Sequence, residues 1–220
     1  MKVVFPFAVL IGMISQSCGF QETQSGHDQT WHKAVESEDF FEYAHFIQEY
    51  PNSEHFNTAL ANYFSLREAY EDSAGVPLLC CLGNCGRLEL DSNGRIMFEG
   101  EVILIDSLRS YALEFLINES QDPTMPSQKR LALFTGKPGY VSKGYFEIYL
   151  NQDSTGRNQI AITQVSNAIQ DYKAFLSETW FNTSIKSLDE KRADYIDSVL
   201  YVRLNLYDFI PVPPPPPPDE

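Results

Sequence analysis

The chain has 220 residues and a formal net charge of −14. A chain this acidic is repelled by nucleic acid, where binding relies on cationic neutralisation of phosphate, and by anionic headgroups; no local basic cluster reverses the sign. A hydrophobic share of 43%, with 15 Phe and 12 Tyr, excludes wholesale disorder and is enough for one core-bearing domain plus a small module.

Lys2 precedes an apolar run, Val3 to Ile14, broken only by Pro6 and Gly12. The run is too short to cross a hydrocarbon layer of about 30 Å as a helix, and it suits a secretory signal over residues 1–17. Ser15-Gln-Ser-Cys18 follows, which resembles a bacterial lipoprotein signal with Cys18 as the lipidated first residue. Ser15 stands where such signals usually carry Leu, so an ordinary signal with an incidental cysteine stays open. Either reading places the mature chain outside the cytoplasm, in the cell envelope on the periplasmic side. Residues 18–30 are polar and read as a tether, which would hold the protein at a membrane through lipid.

Residues 31–72 read as a helical hairpin. Phe40, Phe41, Ala44 and Ile47 form one stripe, and Phe56, Ala59, Leu60, Tyr63 and Phe64 a second. The Tyr50-Pro-Asn-Ser53 corner makes the pair similar to one tetratricopeptide unit, with Ser53 as a helix cap. A single unit cannot bury its own face, so it should dock on the next domain or on a partner.

Cys80, Cys81 and Cys85 lie within six positions. A closed zinc site usually has four ligands, and all four histidines (His27, His32, His45 and His55) lie upstream, so no metal is assigned. A disulfide from Cys85 to Cys80 or Cys81 fits an oxidising compartment; small apolar residues entering a strand are the plainer alternative.

Leu88 and Leu90 alternate with Arg87, Glu89 and Asp91, then Asn93-Gly94 offers a tight turn before Ile96 and Phe98. This is a β-hairpin. A short apolar run, Val102 to Ile105, leads to Asp106, a good helix N-cap. Leu108, Tyr111, Ala112, Phe115 and Leu116 mark a helix that Asn118 and Pro123 stop. Lys129 to Thr135 reads as a strand, Thr135-Gly-Lys-Pro-Gly139 as a turn without phosphate-loop spacing, and Tyr145 to Leu150 as a further β segment. Ile162, Val165, Ala168, Ile169, Tyr172 and Leu176 mark a long helix ending near Trp180. Ser187-Leu-Asp-Glu190 is a capping box opening a short helix, and Leu200 to Tyr207 a last strand. The fold class is α+β: a small mixed sheet backed by two or three helices over residues 78–207, preceded by the helical hairpin. Residues 208–220 are a proline-rich tail with polyproline II character, a stiff end or a ligand for an aromatic groove.

The series Leu88-Glu-Leu-Asp-Ser-Asn-Gly94, Phe98-Glu-Gly-Glu101, Ile105-Asp-Ser-Leu-Arg109, Glu114-Phe-Leu-Ile-Asn118, Asp122-Pro123 and Arg130-Leu-Ala-Leu-Phe134 resembles the periplasmic domain of the ExbD/TolR family, in its Bacteroidetes-type form. Gly139 to Gln159 then looks like an insertion, since a helix follows the third strand almost directly in that family. The resemblance implies a domain that dimerises or binds envelope proteins (proton-channel or TonB-like components) or peptidoglycan in proton-motive-force-linked transport. The family couples protons through an Asp on a transmembrane helix. The apolar run of this chain holds no acid, so that step does not carry over.

No catalytic constellation stands out, and neither enzyme activity nor a cofactor is assigned. There is no Gly-x-Ser-x-Gly elbow. The histidines read as helix-surface or turn residues. Glu36, Glu38 and Asp39, like Asp189-Glu190, read as solvated helix starts, and the Asn118 and Asn182 sequons carry no weight. A scaffold lipoprotein acting through its hairpin or tail is the alternative to a binding domain, and an extracytoplasmic enzyme a third.

Overall fold

A computed structural model describes residues 18–74, 84–90, 95–151 and 155–208, with the side chains of 18–25, 74 and 155 outside that description. The expected signal over residues 1–17 falls outside, as do Cys80, Cys81, the expected Asn93-Gly94 turn and nearly all of the proline tail.

The expected tether is helical. Residues 18–30 belong to α1 (Cys18–Ser37). The segment is polar in composition but contains no proline; within it His27 meets Tyr50 edge-on at 5.0 Å, and just beyond it on the same helix Trp31 stacks on His55 at 4.4 Å and Ala34 is fully buried. The hairpin therefore starts later than Trp31. Glu38 takes a left-handed backbone (φ 50) that ends α1, and the Asp39 carboxylate accepts the Phe41 N–H at 2.9 Å to open α2 (Phe40–Glu49). The Pro51 corner leads to α3 (Phe56–Ala74), with the Ser53 hydroxyl accepting the His55 N–H.

The architecture is mixed α+β, as the sequence implies. β1 (Cys85–Leu90), β2 (Ile96–Phe98) and β3 (Glu101–Ile103) form an antiparallel meander. Register sets Leu88 opposite Phe98 and Leu90 opposite Ile96, so the alternating leucines share the buried face. Between β2 and β3, Glu99 (φ 52) and Gly100 (φ 84) both take positive φ, the signature of a type I′ hairpin turn. Asp106 is not the N-cap of the next helix. It lies in a 3-10 turn, Ile105–Ser107, ahead of α4 (Leu108–Ile117), and α4 has no side-chain cap. Asn118 closes α4 in the left-handed region at φ 43.

Two strand assignments change. The run matched at Arg130–Phe134 supplies β4 (Gln128–Ala132), which pairs only with β5 (Pro138–Ser142) in a separate two-stranded sheet. The supposed insertion contains an interior strand of the main sheet. β6 (Tyr145–Leu150) pairs parallel with β1 on one side and with β7 (Leu204–Asp208) on the other, giving the order β3-β2-β1-β6-β7. Four of the six β6 residues are buried (Phe146, Glu147, Ile148 and Leu150), as suits an interior strand paired parallel on both sides. Gly86 lets the Phe115 and Phe146 rings close on β1: a Cβ there would stand 2.9 Å from Phe146.

Between β6 and β7 run α5 (Thr155–Phe181) and α6 (Glu190–Val199). The cap of α6 is Asp189, whose carboxylate accepts the Arg192 N–H at 3.0 Å, not Ser187, which sits in a preceding 3-10 turn. Phe115 and Phe146 lie 5.5 Å apart in a core shared by sheet and helices, and Ile47, Phe56 and Tyr63 of the hairpin belong to the same buried cluster. The hairpin is bolted down as well. The Lys173 ammonium, 5% exposed, sits 2.9 Å from Glu49 and 2.8 Å from Asp197.

Candidate functional site

A sheet exposes unpaired N–H and C=O groups along each edge strand. At β7 those groups meet α3. The Leu206 N–H donates to the Tyr63 hydroxyl at 3.1 Å, and the Arg67 guanidinium donates to the Leu206 carbonyl at 2.5 Å. One residue before the strand, the Arg203 N–H donates to Gln48 at 2.7 Å. Arg67 also lies 3.9 Å over the Tyr207 ring. Burial works against its charge, yet Tyr63, Tyr207 and Glu71 hold its pKa above the ordinary value. Burial pushes the Tyr207 phenol up to about 12. Tyr207 stacks on Tyr149 at 4.8 Å, and both phenols lie against the buried Glu147 carboxylate, at 3.1 and 3.3 Å.

The β3 edge is different. No described strand lies beyond it. Val102 is 62% exposed and Leu104 75%, the two largest exposures among the described large hydrophobic residues. Because Glu101 pairs with Phe98 and Ile103 with Ile96, Glu101 and Ile103 face the helix side of the sheet, opposite to Val102. There they border a groove of about 430 Å³ between β3 and α4, floored by Phe98, Ile103, Phe115 and Met125 and rimmed by Glu99, Glu101 and Glu114. Glu114 and Met125 are shared with a second hollow of about 570 Å³ along α4 and the loop after it, where Glu119 joins the rim. Asp122 lines a third beside Ile117 and Phe175. None of the described residues lining these three hollows is Lys, Arg or His.

The residues singled out from sequence are scattered. Cys18 opens α1 with its side chain outside the described ones. Cys85 opens β1 and is disulfide-bonded. His27 lies 2.8 Å from the Ser53 hydroxyl and 5.8 Å from His55, in the aromatic seam where α1 meets the hairpin. His45 stacks on Tyr201 at 4.4 Å. Burial lowers its pKa, although Glu49 and Glu42 favour its charged form. His32 projects outward. Asn118 is 6% exposed and donates its amide to the Asp122 and Pro126 carbonyls, so its side chain holds a loop. No group of three His, Cys, Asp or Glu among the described residues is placed to hold a metal, and no described helix is long and apolar enough to cross a membrane.

Sequence reasoning used Glu101 and Glu114 only as motif letters and missed the edge they frame. The signal was present in Phe98-Glu-Gly-Glu101, where X-Gly between two alternating segments makes a tight turn into a short third strand. No family model matches this chain, and neither a curated protein nor a solved structure matches it.

Proposed function

We propose that this chain is a non-enzymatic cell-envelope protein, lipidated on Cys18 and held at a membrane on the periplasmic side. Its α+β domain binds a protein component of a proton-motive-force-linked transport or motor complex. The observation that carries this reading is the asymmetry of the sheet: one edge is closed by the chain itself, and the other is exposed beside an apolar groove. Exposed edges of this kind take extended segments of partner proteins.

The same asymmetry weighs against the scaffold alternative. Most of the apolar stripe of the hairpin (Phe40, Ala44, Ile47, Phe56, Ala59 and Tyr63) is buried within the chain, Leu60 and Phe64 are half-buried, and Phe41 alone of the stripe is exposed. The ExbD/TolR resemblance adds support where its residues form the β1–β2 hairpin and α4. The run Arg130–Phe134, which the resemblance takes as the third strand, contributes instead to the separate two-stranded sheet, so that part of the series lends it nothing.

The test is cross-linking and pull-down of the full chain from envelope membranes, with Cys18→Ser as the unanchored control. Recovery of a proton-channel, TonB-like or cell-wall component is expected with the wild type and reduced with the control. Recovery of none of these, or a mature protein found in the cytosol with Met1 intact, overturns the proposal.

A further inference from the structure

Resting on that reading, the geometry points to the partner's chemistry. We infer that β3 receives an extended, cationic segment of a partner protein as an added strand, with alternate Lys or Arg side chains seated in the groove between β3 and α4.

A strand added outside β3 would lie about 4.8 Å away and present its side chains alternately to the two sides of the sheet. Every second one falls on the side of Glu101 and Ile103, directly over the groove. The groove suits a side chain with an apolar stem and a cationic head. Phe98, Ile103, Phe115 and Met125 offer the stem an apolar floor, while Glu99, Glu101 and Glu114 meet the head at the rim. The intervening side chains meet Val102, which faces the other way and is 62% exposed. None of the described residues lining the groove is a cation, and Glu99 already accepts the Arg87 N–H, so an incoming Lys or Arg meets chiefly Glu101 and Glu114.

Charge selects this occupant over a second copy of the chain. Two copies meeting at β3 would set Glu99, Glu101 and Glu114 against their own equivalents, in a protein already at −14. An anionic segment or an anionic lipid surface is repelled for the same reason. The run Pro211–Pro218 of the tail has a single N–H, at Val212, with which to pair a strand edge, and the acids at Asp219 and Glu220 add charge of the same sign as the rim.

The experiment is a titration of the full chain, in neutral detergent at low salt, against labelled blocked octapeptides. The probes are a Lys–Val alternating peptide, its Glu–Val counterpart, and the Lys–Val peptide N-methylated at every second amide. The Lys–Val peptide is expected to bind saturably and at least about ten-fold tighter than the other two. E101K/E114K should weaken it at least about ten-fold, and E101Q/E114Q, a gentler change at two exposed positions, by a smaller factor in the same direction. Equal binding of the N-methylated peptide, unchanged binding by E101K/E114K, or no saturable binding overturns the inference. A dimer of the chain that the Lys–Val peptide dissociates would assign the edge to a second copy and overturn it too. The two proposals fail separately. Envelope capture that survives E101K/E114K removes this inference and leaves the function, whereas peptide binding without envelope capture does the reverse.

Discussion

The two edges of the five-stranded sheet receive opposite treatment. At β7 the helical hairpin reaches in with Gln48, Tyr63 and Arg67, so the outward N–H and C=O of Leu206 are both hydrogen-bonded by side chains. At β3 no described element covers the strand, and Val102 and Leu104 project into solvent. The protection at β7 comes from residues more than 130 positions away in sequence: Arg67 and Leu206 are separated by 139. The N-terminal helices thus act as a built-in cover for one edge, which directs any strand-adding partner to the other. The short length of β3 and its flanking acids limit self-association there without closing it.

Breaking the closed edge should have the largest effect. Arg67→Ala removes a buried guanidinium from the Leu206 carbonyl, Tyr63 and Glu71 together, and should cost about 3–5 kcal/mol in denaturant unfolding. It should also promote aggregation through the uncovered β7. Lys173→Met strands Glu49 next to the hairpin corner and should cost about 3 kcal/mol, with α2 losing amide protection first.

A pH series sharpens the same contrast. Burial gives His45, which stacks under Tyr201 close to the β7 side, a pKa below its ordinary 6.5 when folded. The unfolded chain then binds the proton more readily, so stability falls as pH drops below about 6.5 towards the lowered value. His45→Phe should flatten that slope in thermal melts. Glu49, held below the usual carboxylate range by Lys173 despite burial, adds a second loss at more acidic pH; Lys173, raised by Glu49 and Asp197 despite burial, adds one only above pH 10.5. The smallest effect belongs to the open edge. Val102→Lys should change unfolding free energy by less than about 0.5 kcal/mol, because the side chain packs on little, while removing the binding proposed for β3.

Most single elements were legible from local pattern. The alternation at Leu88 and Leu90, the 3.6-residue stripes of α4 and α5, and the Pro51 corner needed no tertiary knowledge. What escaped was set by long-range partners. Residues 18–30 look like a tether because His27 counts as polar, yet its ring packs on Tyr50 and Phe46. Arg130–Ala132 and Tyr145–Leu150 both read as strands. Which of them enters the main sheet depends on pairing with β1, and alternation alone does not encode that. Asp106 and Ser187 are good caps by type, but a 3-10 turn at each place shifts the helix start downstream. The groove was the least visible, since it joins β3 to α4 and the loop beyond.

Site-specific photocross-linking in envelope membranes tests the central claim most directly, with a reactive residue placed at Val102 on the open edge or at Tyr70 on the outer surface of α3, both exposed. Adducts to an envelope protein from position 102 and none from position 70 are the predicted result. Adducts from position 70 alone would contradict it and return the binding role to the helical hairpin.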